Sequence, residues 1–173
     1  MRVTKADNVT PAEKNLVVKY TKMCLREMAK KEHELGRSYQ ELLNGISVKV
    51  KHRGQCSNGG SWRICIDVCY LRRKTTTLTE YRAYHKDPVI GRVEDITPEL
   101  VLLGVVAHEV AHHIQYRCGP RTRWLKGKYK KPHGEGFQAI YRILRSRVVN
   151  PLIQEELRNR GVEWEQALQH LAA

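Results

Sequence analysis

Residues 97–117 leave the chain little choice of conformation. Thr97-Pro98-Glu99 combines a capping hydroxyl, a proline at the first helical position and an early acid, which together predict a helix start. Leu100, Leu103, Val106, Ala107, Val110, Ala111 and Ile114 follow at intervals of three and four, a stripe too wide for a surface helix. Cys118-Gly119-Pro120 ends the run. A helix this apolar must be covered by the rest of the chain, so the fold is built around it. Polar residues interrupt its middle all the same, among them His108, Glu109, His112 and His113.

His108-Glu109-Val110-Ala111-His112 has the spacing of a half-built metal site. Residues four apart lie one turn apart on one helical face, so His108 and His112 can reach one ion. Glu109 stands about 100° around the helix, placed to handle a water beside the ion without becoming a ligand. Imidazoles suit zinc, a carboxylate suits proton transfer, and zinc lowers the pKa of its water to about 7. Shuffling this chain's 8 His and its Glu residues produces the pattern in only about 3% of cases. Its position inside a capped helix points further towards chemistry. His113 shares a face with Glu109 and is expected near the site or exposed, not as a ligand.

A hydrolytic zinc site takes three protein ligands and leaves a fourth position open. His133, Glu135, His85 and His52 are the candidates for the third. His133 is favoured, because it precedes Gly134 and Gly136, which allow close backbone approach at the start of a new helix. Glu135 is second.

Around this centre the chain reads as α+β and mostly helical, in a single domain. Thr10-Pro11-Ala12-Glu13 is a capping box, and Leu16, Val17, Tyr20, Cys24 and Met28 carry a helix predicted over 11–35, with Gly36 as terminator. A sheet is expected over 45–85. Ile46, Val48 and Val50 alternate with polar residues, as do Trp62, Ile64, Ile66, Val68 and Tyr70, and the glycine-rich 54–60 between them predicts two antiparallel strands. Residues 72–91 read as a loop with a possible third strand. A helix over 134–149 should be broken by Asn150-Pro151, with two shorter helices within 151–172 separated by Gly161.

The 31 Lys and Arg against 18 Asp and Glu leave a formal charge of +13. That favours an acidic partner, with nucleic acid ahead of an anionic membrane surface or an acidic protein. No stretch approaches the roughly 20 apolar residues of a membrane span, and the first residues lack the apolar run of a signal peptide. An intracellular protein, cytoplasmic or in the nucleoid or nucleus, is expected. Cys24, Cys56, Cys65, Cys69 and Cys118 are odd in number and irregular in spacing, which argues against a disulfide framework. Cys65 and Cys69, four apart on an expected strand, are too far from each other to share an ion.

His108-Glu109-Val110-Ala111-His112, followed by His133-Gly134-Glu135-Gly136-Phe137, resembles the SprT-like metallopeptidases, whose pattern is HExxH and later HGxxF. Gly54-Gln55-Cys56 ahead of Ile64-Cys65-Ile66-Asp67 is similar to that family's glycine-x-cysteine turn before a strand. The resemblance covers about residues 10–148. It implies a zincin-like domain, zinc held by His108, His112 and His133, and Glu109 as catalytic acid and base. The family includes Spartan-type proteases that act on proteins crosslinked to DNA. Several members carry a C-terminal cysteine zinc ribbon, and no cysteine follows Cys118, so a ribbon is not expected here.

The densest basic stretch lies between the two histidine motifs. Arg117, Arg121, Arg123, Lys126, Lys128, Lys130 and Lys131 are interleaved with Trp124 and Tyr129. Cations that track phosphates beside an aromatic that stacks bases suit single-stranded or distorted DNA. A solvated loop with Trp124 packed on the core fits equally well. The expected function is a zinc-dependent endopeptidase acting on a DNA-bound or DNA-crosslinked protein substrate. The alternatives are a zinc protease acting without DNA, its charge steering acidic proteins, and a nucleic-acid-binding module with a structural zinc. A substrate would align as an added strand beside 62–70 if that strand is an edge. Tyr116, Tyr141 and Arg142 are candidate oxyanion stabilisers.

Overall fold

The computed structural model describes residues 1–4, 8–53, 57–79, 84, 87–119, 125–164 and 167. The chain runs β1 (Arg2–Thr4), α1 (Pro11–Ala29), α2 (Glu32–Leu35), α3 (Tyr39–Asn44), β2 (Ser47–Lys51), β3 (Asn58–Gly59), β4 (Arg63–Asp67) and α4 (Cys69–Arg72). It continues through α5 (Pro98–Cys118), α6 (Glu135–Leu144), a π-helical turn (Arg145–Val149) and α7 (Asn150–Asn159). The class is α+β: mostly helix, with one small mixed sheet.

The central helix forms as its sequence demands. Fifteen residues of α5 are buried, from Leu100 to Cys118 and on every side of the helix, and α1, α6, β3, β4 and α4 all pack on it. Thr97 caps differently from expectation, because its hydroxyl does not bond a helical N–H. Its backbone N–H and its hydroxyl donate instead to the Glu156 carboxylate at 3.0 and 2.6 Å, tying the start of α5 to α7.

The capping box at Thr10 and Glu13 is present in both directions. The helix it opens stops at Ala29, however, short of the predicted 35. After Ala29 come Lys30, Lys31, Glu32, His33 and Glu34, with no apolar side chain for the core, so the chain turns and re-enters as α2 to bury Leu35. Gly36 then terminates α2 at φ 61°, where a side chain would be strained. A second capping box, Ser38 with Glu41, opens α3, which the sequence reading did not anticipate.

The sheet has the order β1-β2-β4-β3. Val48, Val50, Ile64 and Ile66 face the core as the alternation requires. The expected antiparallel pairing of the two main strands is wrong. β2 and β4 run parallel, with Ser47 opposite Arg63 and Lys51 opposite Asp67, and β1 joins β2 in parallel. A period of two reveals which side chains share a face and carries no information on strand direction. The glycine-rich connection is itself β3, which runs antiparallel to β4, so the tight turn lies at residues 60–62. β4 therefore has neighbours on both sides, and the free edge on this side of the sheet belongs to β3. Between 72 and 91 the described residues hold no strand; Leu78 bridges Val93 alone.

Asn150-Pro151 does not break the last long helix. The π turn re-registers the chain just ahead of Pro151, whose missing N–H falls in the first turn of α7, where proline is tolerated. The fully buried Arg145 fixes this turn. Its Nε donates to Asn150 Oδ1 at 2.9 Å and its Nη2 to the Gly91 carbonyl at 3.2 Å. α7 ends before Gly161, which adopts φ 70°; the helix expected beyond it lies largely outside the described residues.

Strand β4 ends at Asp67, so Cys69 stands on a helical turn rather than on the strand with Cys65. Both are buried and in no disulfide, as are Cys24 and Cys118. No helix among the described residues is long and apolar enough to cross a membrane.

Candidate metal centre

The site forms where α5 meets the start of α6. Four-residue spacing puts His108 and His112 on the face of α5 that α6 covers. The third histidine arrives from the loop before α6, and it is His133. Its Nε2 lies 3.0 Å from Nε2 of His108 and 3.0 Å from Nε2 of His112. These three histidines lie close enough to hold one metal ion.

The donor set suits such an ion. Ligands in a tetrahedral zinc site with Zn–N of about 2.0–2.1 Å stand about 3.3 Å apart, a few tenths from the spacing seen. Burial, followed by the neighbouring His108 and His133, pushes the His112 imidazole down to about 3, so it is neutral and its lone pair is available at pH 7. Three converging nitrogens repel one another unless a cation or a proton lies between them.

His133 is held by its backbone. It adopts φ 58°, uncommon for a residue with a side chain, and this turns the imidazole back towards α5. The buried Tyr84 donates its hydroxyl to the His133 carbonyl, and Gln138 Nε2 donates to the same oxygen at 3.3 Å. Gln115, three residues beyond His112, donates to the Lys131 carbonyl at 2.8 Å and anchors the loop to α5. Gly136 is required here, since a Cβ would lie 2.5 Å from the Lys128 carbonyl oxygen.

The fully buried Phe137 is the floor of the site. Its ring lies 4.8, 4.4 and 4.9 Å from the rings of His108, His112 and His133. Tyr141 packs edge-on against His108 at 5.3 Å, and Tyr116 lies parallel to His112 at 5.9 Å. An apolar floor keeps the imidazoles in place and excludes water from that side. In the sequence Phe137 stands as the last residue of the His133-Gly134-x-x-Phe137 pattern, which marks its place but not its contact with all three imidazoles. Tyr84 and Gln138 carried no such mark, because their role depends on a backbone turn.

Glu109 sits one step around α5, only 7% exposed. The hairpin of β3 and β4 lies along the same side of the helix. A Cβ on Gly59 would fall 2.2 Å from the Glu109 carbonyl oxygen and 2.9 Å from His112 Cβ, so only glycine permits this approach. One turn further on, the buried His113 donates through Nδ1 to the Gly60 carbonyl at 2.8 Å. Burial, chiefly, holds that imidazole down to about 4, so it is a neutral strut between helix and hairpin. It is no member of the metal group.

The remaining candidates are placed elsewhere. Glu135 pairs with Lys128 at 2.9 Å, and Nδ1 of His52 is 3.1 Å from the Arg72 guanidinium. His85 lies outside the described residues, as do Arg121, Arg123 and Trp124 of the basic segment. Lys126, Lys128, Lys130 and Lys131 are exposed, while Tyr129 packs against Gly119 at the end of α5. Arg142 pairs with Asp87, and Tyr141 is wholly buried with its hydroxyl 3.4 Å from Arg145; Tyr116, beside His112, keeps partial exposure.

Comparison of the chain with known protein families, with characterised proteins and with solved structures finds no match.

Proposed function

We propose that this protein is a zinc-dependent endopeptidase of the SprT-like type, with a zincin-like fold, that works on proteins bound or crosslinked to DNA. The observation that carries the reading is the meeting of three imidazole nitrogens at one point, with a buried carboxylate one residue away on the same helix. His108, His112 and His133 would hold the zinc. A zinc bound there would supply a Lewis acid for the scissile carbonyl and would lower the pKa of its water to about 7. Glu109 takes the proton from the attacking water and returns it to the leaving amine. Phe137 closes the floor, and Tyr116 is the candidate best placed to meet the developing negative charge.

Glu135 engages Lys128 rather than the histidines, which leaves a three-ligand set and favours catalysis over a structural zinc. The substrate aligns against the edge strand β3 instead of β4. The net charge of +13 and the exposed Lys126, Lys128, Lys130 and Lys131 support engagement of DNA.

Glu109→Gln tests the assignment. It keeps the size of the side chain and removes the base, so zinc content should stay at one per chain while cleavage of an unstructured protein falls at least 100-fold. Full activity in that variant refutes it. Cleavage with and without single-stranded DNA then separates a DNA-associated protease from one that acts alone.

A further inference from the structure

Trp62 is the exposed large apolar side chain of the described residues, at 69%. Its surroundings hold it rigid. The Arg117 guanidinium lies over the indole, 4.3 Å from the ring centre, and donates to the Gly45 carbonyl at 3.2 Å. Gly45 makes room for that guanidinium, since a Cβ there would come within 1.9 Å of it. The Trp62 carbonyl accepts from the Ser47 N–H at 2.9 Å, which locks the turn to β2. The ring is thus presented to solvent on a built support, its rotamer entropy already spent.

Its location ties it to the metal centre. Glu109, His113 and Arg117 follow one another turn by turn along α5 and meet Gly59, Gly60 and Trp62 in order. The basic loop is anchored through Gln115, about 200° around the helix from Arg117. The face between them carries Tyr116 and His112. No carboxylate occurs from Asn58 to Arg63, and the exposed Arg63 shares the outer sheet face with Lys49.

We infer that Trp62, backed by Arg117, is a stacking platform for an unpaired base of single-stranded nucleic acid, on the opposite side of the Tyr116 and His112 face of α5 from the basic loop. This rests on the DNA reading above and assigns it a residue. A flat ring with a cation behind it suits a flat partner, and Arg63, the next residue, is placed for the phosphate. An acidic peptide has no use for the exposed indole face. A strand that spans from Trp62 to the basic loop passes over Tyr116, one turn from His112, and so carries an attached protein to Glu109.

The test is the affinity of a labelled 15-nucleotide oligo-dT for the zinc-loaded full chain, read by fluorescence anisotropy across a salt series. Trp62→Ala should weaken binding about tenfold. The slope against salt should not change, because stacking releases no counterions. Trp62→Phe should recover most of the affinity, and equal zinc content and melting temperature verify the fold of each variant. Unchanged affinity in Trp62→Ala overturns the inference and leaves the DNA reading standing. So does an equal loss on a duplex of the same length, or equal Trp62-dependent binding of poly-glutamate. No binding of oligo-dT by the wild-type protein removes both.

Discussion

Each residue of the metal centre is held by a neighbour whose own contribution is not chemical. The clearest case is Tyr84. It is buried, its hydroxyl reaches the carbonyl of His133, and His133 stands in the left-handed region at φ 58°. Without that hydroxyl the His133 carbonyl still accepts the longer bond from Gln138. Tyr84→Phe should therefore lower zinc affinity about tenfold, measured by competition with a chromophoric chelator, with little change in melting temperature of the metal-free protein. Unaltered affinity would mean that Gln138 and Gln115 suffice. Two of the three clustered histidines were legible from spacing, because i and i+4 on a helix is a local rule. The third was legible only as a preference among His133, Glu135, His85 and His52. Nothing local says that Glu135 will turn to Lys128, or that His52 will lie against Arg72.

At the scale of elements, the helix α5 and the hairpin of β3 and β4 behave as one unit, joined where Gly59 lies flat on the motif. Gly59→Ala puts a methyl group 2.2 Å from a backbone oxygen that cannot rotate away. A cost of about 1–3 kcal/mol in urea unfolding is expected, together with loss of cleavage as the edge strand lifts from Glu109. Gly36→Ala is the control. Nothing lies within 4 Å of that position, so only the left-handed backbone is penalised, at about 1 kcal/mol, and cleavage should persist. The reverse result would place the hairpin outside the working site. α5 was readable from its cap, proline and apolar stripe, all of which are local. The direction of β4 was not, since an eleven-residue connection can return a strand either way, and the core contacts that choose are distant in sequence. The end of α1 at Ala29 and the π turn before Pro151 arise from the same kind of distant demand, for Leu35 in one case and Arg145 in the other.

Over the whole molecule, charge sets the conditions in which the fold holds, and a metal at the histidine cluster would add to them. The Arg72 fork joins α4 to the start of α1, with Nε 2.9 Å from Glu13 Oε1 and Nη2 3.0 Å from Oε2. The Arg72 guanidinium, helped by the Thr10 N–H and hydroxyl and opposed by burial, lowers the Glu13 carboxyl from its ordinary 4.5 to about 2. Because the folded value is the lower one, this stability is complete above pH 4.5 and drains away as pH falls towards 2. Melting temperatures of the wild type and Glu13→Gln should differ at pH 6 and converge near pH 2; a gap independent of pH would assign the effect to packing.

On the proposed reading zinc occupies a site that the unfolded chain lacks, so removing it with a chelator should lower the melting point, and restoring it should reverse the change. The ligand sphere of that zinc tests the central claim most directly. X-ray absorption of the zinc-loaded protein should show three imidazole nitrogens at about 2.0–2.1 Å and a fourth light-atom position open to solvent. One nitrogen should disappear in His133→Ala. A sulfur ligand, a closed shell of four protein ligands, or a spectrum untouched by the loss of His133 would contradict the account.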